Sequence, residues 1–208
     1  MKRSREALPL CFFARIIEMN LLINLNIWRV VMYIDSKTAE ENAVLNAAYA
    51  VCAAARTAPK ACGVDFMKSA VLTGEDKDRL TEAMRRLSGK NGDTILVRDA
   101  GNVDKATAVV LVGITDERRG LNKICQLCHF EDCKACAEAG ACCVFSGIDL
   151  GIALGSAVSL VTDLRIDTRI MFTIGKAAAS LKLLGDDITL IMGIPMSVSG
   201  KSPFFDRK

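Results

Sequence analysis

ATAVVLVGI, residues 106–114, is a nearly continuous apolar run with five β-branched members. A strand with one wet face alternates apolar and polar side chains. A short run without that alternation reads as a strand covered on both faces. Directly downstream, six of the nine cysteines fall between Cys125 and Cys143. After them Ser146-Gly-Ile-Asp149 has the form of a capping box and opens a helix to about Leu164. This helix is apolar on most sides, so it is expected at the centre of the core. Its uncharged run, residues 150–162, is too short to cross a bilayer. Gly147, Gly151 and Gly155 stand at i, i+4 and i+8 along it, which implies tight helix packing or the close approach of a neighbour or cofactor.

Further out, residues 169–174 read as a strand, 176–184 as a short helix and 188–194 as a closing core strand. Upstream, Thr38-Ala-Glu-Glu41 has the form of another capping box. It opens an Ala-rich helix that Pro59 helps to end. Residues 66–73 form a strand in this reading, Thr73 caps a helix to about Leu87, and residues 95–98 are a short strand. Helices and strands are thus interleaved along one domain.

Of 208 residues, 51% are hydrophobic, which excludes extensive disorder, and the net charge is only +3. That charge, with few aromatic residues, excludes a nucleic-acid footprint. The single histidine, His129, excludes multi-histidine metal sites. An odd cysteine count in a chain of this size, with no good secretion signal, argues for free thiols in a reducing cytoplasm. Near the N-terminus, Lys2, Arg3 and Arg5 precede an apolar stretch broken by Arg15, Glu18 and Arg29. Residues 1–31 are therefore expected to be an appendage: an amphipathic arm, or translated sequence upstream of a start at Met32. Neither a membrane span nor a membrane partner is expected.

The cysteines are spaced Cys125-x2-Cys128-x4-Cys133-x2-Cys136-x5-Cys142-Cys143. Two intervening residues let one tight loop present both sulfurs to one centre. Zinc and iron–sulfur clusters each take four such thiolates, so ligand type alone leaves both open. Crowded thiolates repel one another and need cationic compensation. Arg118, Arg119, Lys123 and Lys134 are at hand for this, unless they are solvated loop residues. His129, between two ligand candidates, is expected to face solvent or to sit behind the ligands.

GLNKICQLCHFEDC (120–133), CCVFSGIDLGIALGSAV (142–158), LRIDTRIMFTIGKAA (164–178) and GIPMSVSGKSPFFDR (193–207), taken in order, resemble a family of prokaryotic proteins of unknown function described as containing a ferredoxin domain. The resemblance implies an iron–sulfur cluster of the 4Fe–4S type. Its C-x2-C-x4-C arrangement falls on Cys125, Cys128 and Cys133. Its fourth cysteine, just ahead of the DLGIA helix, falls on Cys143, with Cys136 and Cys142 as substitutes.

More distantly, Ala54-Ala-Arg-Thr-Ala-Pro59, a strand, and then EDKDRLTEAMRRL (75–87) are similar to the nitroreductase family. That likeness implies an α+β fold, a mostly antiparallel sheet wrapped by helices, in residues 36–208, with the cysteine-rich segment 120–145 as an insert. It further implies a homodimer binding FMN between subunits. The family's arginine-rich phosphate grip is missing from residues 36–49, and Lys60 replaces its serine. The flavin-binding charge then falls to Arg56, Lys60, Lys201 and Arg207. The expected function is that of an iron–sulfur oxidoreductase or electron-transfer protein, exchanging electrons with a redox partner protein or small-molecule acceptor. A ferredoxin-like carrier or redox sensor, and a structural zinc protein, are the alternatives.

Overall fold

A computed structural model describes residues 33–91 and 94–205. The chain divides into two compact units, Met1–Ala39 and Glu40–Lys208. The expectation for residues 1–31 and the flavin role of Arg207 lie outside the described residues.

The order of elements is α1 (Ser36–Thr57), β1 (Met67–Leu72), α2 (Gly74–Asn91), α3 (Thr94–Asp104), β2 (Ala108–Thr115), α4 (Cys133–Glu138), α5 (Val144–Asp163), β3 (Asp167–Thr168), α6 (Phe172–Ser180) and β4 (Ile188–Ser197). The four strands form one sheet in the order β1-β2-β4-β3, with every pairing antiparallel. The fold is α+β, as the sequence implies.

β2 is one of the two inner strands, and its side chains divide between two cores. Ala108, Val110, Val112 and Ile114 join α1 and α5 on one face. Val109 and Leu111 join α2, α3 and α6 on the other. Helices on both faces explain why the strand is apolar without alternation. α5 presents Leu150, Ala153, Leu154, Ala157 and Val161 to the first core. By length and composition it is long and apolar enough to cross a membrane, the one such helix among the described residues. The face it buries is that of a core helix.

Several local expectations are corrected. Residues 95–98 are helical: Leu96, Asp99, Ala100 and Val103 are buried at i, i+3, i+4 and i+7, and this period overrides the β-propensity of Ile95 and Val97. The Asp99 carboxylate accepts the Thr173 hydroxyl at 2.6 Å, which ties α3 to α6. α1 begins at Ser36, capped by Asp35, whose carboxylate accepts from the Thr38 N–H at 3.0 Å and hydroxyl at 2.8 Å. α2 runs past Gly89 to Asn91.

No strand forms over residues 169–174, where Met171 makes only an isolated bridge; the strand lies just before, at Asp167–Thr168. α6 starts at Phe172 because Gly175 lets its backbone lie directly on β4: a Cβ there would stand 1.6 Å from the Ile191 carbonyl oxygen. The glycine row of α5 behaves in the opposite way. A Cβ on Gly147, Gly151 or Gly155 would meet nothing within 4 Å, and Ile148 and Ile152 beside them are exposed. The row therefore does not serve packing within this chain.

Candidate metal centre

The cysteine segment leaves the end of β2 and returns at the start of α5, so two buried elements fix both ends of the loop. Asp116, just past β2, closes its neck. Oδ1 of Asp116 accepts from the Cys143 N–H at 2.9 Å, the Ser146 hydroxyl at 3.1 Å and the Cys142 thiol at 3.3 Å. The Arg118 guanidinium spans the same neck, donating to the Asp116 carbonyl at 2.9 Å and the Ala141 carbonyl at 2.6 Å.

Inside the neck the chain reverses repeatedly. Asn122, Gln126 and His129 all take positive φ. Few side chains adopt this left-handed region without a compensating gain. Gln126 and His129 immediately follow Cys125 and Cys128, so each reversal curls the backbone around a cysteine. Cys133 opens α4, capped by the Asp132 carboxylate, which accepts from the Ala135 N–H at 2.8 Å. The Asn122 N–H donates to the Cys133 sulfur at 3.3 Å, the kind of contact a thiolate favours.

Five sulfur-bearing residues, Cys125, Cys128, Cys133, Cys136 and Cys143, line one cavity together with Arg118 and Arg119. Cys136 is the most deeply buried, 1% exposed, and its thiol donates to the Ala141 carbonyl at 3.4 Å. Burial pushes the Cys136 thiol pKa up, reinforced by neighbouring Cys128 and opposed by the Arg118 guanidinium. Cys142 does not line the cavity. It is exposed, bonded to Asp116, and pushed up to about 11, first by burial and then by the Asp116 carboxylate. His129 is exposed, as expected.

The cavity is small, about 20 Å³, room for roughly one water molecule. Among the described residues no three His, Cys, Asp or Glu side chains converge on a single metal-ion position. The thiols line the walls of a space, and a bound group larger than one ion has to push them outward. The donor set is mainly sulfur, five cysteines beside Asn122, Gln126 and Asp132, and it is backed by guanidinium. It fits an anionic thiolate-ligated centre better than a hard oxygen-seeking cation.

Beneath the loop lies a buried ion pair. Arg119 and Asp149 are each 1% exposed and meet at 2.7 Å. The second oxygen of Asp149 accepts the Ala61 N–H at 2.9 Å, and the Arg119 guanidinium lies 4.7 Å from the centre of the Phe66 ring. The expected capping box at Ser146 and Asp149 is thereby corrected. α5 starts at Val144 with Cys143 as its N-cap, and both residues are turned to bracing the loop. The sequence signal for Asp149 is an acid placed within an apolar helix whose next charge is Asp163 at its end. Asp116 carried no signal beyond its place at a strand end.

The residues named for flavin are not gathered around the cysteines. Lys60 is almost fully buried, its ammonium donating to the Arg56 carbonyl at 2.5 Å and the Ala58 carbonyl at 2.7 Å at the end of α1. Arg56 pairs with Asp65 at 2.5 Å and donates to the Met67 carbonyl at 2.8 Å. Lys201 lines a separate open cavity of about 340 Å³ with Lys105, Ser197, Ser199 and Ser202.

Comparison with known proteins agrees with this architecture. An uncharacterized protein of Archaeoglobus fulgidus is 40% identical over 185 residues, 85% of this chain and 98% of the relative. A nitroreductase with bound FMN from Bacteroides fragilis superposes with a TM-score of 0.52 at 15% identity, covering 85% of this chain and 83% of the other. The nitroreductase CinD from Lactococcus lactis, in complex with chloramphenicol, gives 0.50 at 17% identity, covering 80% and 85%. At such identities the likeness is one of fold. Residues 139–207 match the model of a family described as "uncharacterized protein containing a ferredoxin domain". With a relative this similar along most of its length and that match in its C-terminal third, the chain belongs to this ferredoxin-domain family, built on a nitroreductase-like fold.

Proposed function

We propose that the protein is an iron–sulfur redox protein, an oxidoreductase or electron carrier, whose 4Fe–4S cluster is held by Cys125, Cys128, Cys133 and Cys143. The single observation that carries this reading is the cavity lined by five cysteines and two arginines. Cys125, Cys128 and Cys133 reach it from the curled segment, and Cys143 from the N-cap of α5. Cys136 is the reserve ligand, and Cys142 stands outside the set. A cluster held this way supplies one-electron chemistry, and the surrounding chain sets its potential through charge, hydrogen bonds and solvent exclusion.

A flavin site is a second element of the reading. Lys105, Lys201 and Ser202 line one open cavity with Ser197 and Ser199, whose hydroxyls donate to the Lys105 and Lys201 carbonyls; cationic and hydroxyl groups of this kind are what a phosphate takes. Arg56 and Lys60 lie outside this cavity and are engaged in local bonds at the end of α1. The exposed glycine–isoleucine face of α5 supports a homodimer.

The test is purification of the whole chain without oxygen. A brown protein with broad visible absorption near 400 nm, bleached by dithionite, is the expected result, with a yellow chromophore released on denaturation if FMN is bound. A colourless protein containing zinc overturns the cluster reading and leaves the thiols a structural role.

A further inference from the structure

Four cations belong to the cysteine loop, and the structure separates them. Lys123 and Lys134 are 71% and 82% exposed and pair with Glu131 and Glu138 at the surface. Arg118 and Arg119 line the thiol cavity. Arg119 is matched at 2.7 Å by the equally buried Asp149, so its charge is compensated on the spot. Arg118 has its acid partner, Asp116, only at 3.5 Å. The other oxygen of that carboxylate is occupied by the Cys143 N–H and the Ser146 hydroxyl.

The two terminal nitrogens of Arg118 are both committed to backbone carbonyls at the loop neck. Its Nε, like that of the charge-compensated Arg119, is buried and has no hydrogen-bond partner among the described residues. A buried N–H on a cation is costly to leave without an acceptor. The acceptors this cavity offers are chiefly sulfurs: five cysteines line it with Arg118, beside Asn122, Gln126 and an Asp132 carboxylate that caps α4.

We propose that Arg118 is the positioning and potential-setting residue of the metal centre: its Nε–H donates to a sulfur of the cluster or of its ligands, while its terminal nitrogens hold the loop closed. The proposal rests on the cluster reading above. A guanidinium at this place favours the more negative, reduced form of the centre and so raises its reduction potential. The electron comes from an external reductant, and Arg118 neither gains nor loses a proton.

The test uses the full chain, loaded anaerobically and assayed first for iron and sulfide. Absence of both in the unaltered protein defeats the cluster reading itself, independently of Arg118. With the cluster present, protein labelled with [15N]arginine should show a 15N coupling to the reduced centre in pulsed EPR. That coupling should vanish in Arg118→Lys, which keeps the charge but loses Nε. Arg118→Met should make reduction about tenfold less favourable, a midpoint about 59 mV more negative for a one-electron couple. Lys123→Met should leave the midpoint unchanged. If Arg118→Met fails to hold the cluster, the coupling in the unaltered protein and in Arg118→Lys still decides. No 15N coupling, or a coupling that survives Arg118→Lys and disappears in Arg119→Lys, overturns the proposal. So does a loaded Arg118→Met protein with an unshifted midpoint.

Discussion

At the scale of single residues, the cysteines differ by environment more than by spacing. Serine at Cys125, Cys128, Cys133 or Cys143 should each remove most of the iron, because a hydroxyl does not replace a thiolate on a soft centre. Cys142→Ser should retain it, since that thiol is exposed and bonded to Asp116. Iron retained in Cys143→Ser but lost in Cys136→Ser would move the fourth ligand to Cys136, which lines the same cavity. The buried pair below the loop makes a separate claim on stability. Asp149→Leu leaves the Arg119 guanidinium, 1% exposed, without its counter-charge, at a cost of about 3–5 kcal/mol. The double variant Arg119→Met/Asp149→Leu should recover much of that loss in thermal unfolding. A double variant no more stable than the single one would mean that the pair acts through the Ala61 bond or the Phe66 contact instead.

At the scale of elements, the sheet was legible and the loop neck was not. The 106–114 run announced a strand covered on both faces, and β2 contributes side chains to both cores. Period carries such information directly, because burial on both faces removes the polar alternate. The 95–98 segment is helical in spite of two β-branched residues, because Asp99, Ala100 and Val103 continue a helical stripe from Leu96. The capping box at Ser146 failed for a different reason. The local pattern was genuine in form, but partners 30 residues away, Asp116 and Arg119, outcompete the backbone for those side chains. Spacing found the cysteines for the same reason that it missed Asp116: loop ligands sit close in sequence, whereas their supports are brought in by the fold. Gly175 tests the packing of α6. Gly175→Ala drives a methyl into the Ile191 carbonyl, and backbone cannot yield as a side chain does, so a loss of about 3 kcal/mol or more is expected in chemical unfolding. A neutral result would show that α6 stands off the sheet.

At the scale of the whole molecule, the exposed apolar face of α5 and the span of residues 1–31 make the remaining claims. Gly151→Leu should convert a dimer to a monomer in light scattering, because its Cβ points into space that a second copy is proposed to fill. A dimer unaffected by that change would place the interface elsewhere. A chain beginning at Met32 should keep its melting temperature. Unfolding on truncation would make residues 1–31 part of the core. Above all of these stands the identity of the group in the thiol cavity. Its most direct test is the content of iron, acid-labile sulfide and zinc in the full chain isolated without oxygen. Roughly four iron and four sulfide per chain is the expected result; stoichiometric zinc without sulfide would contradict it.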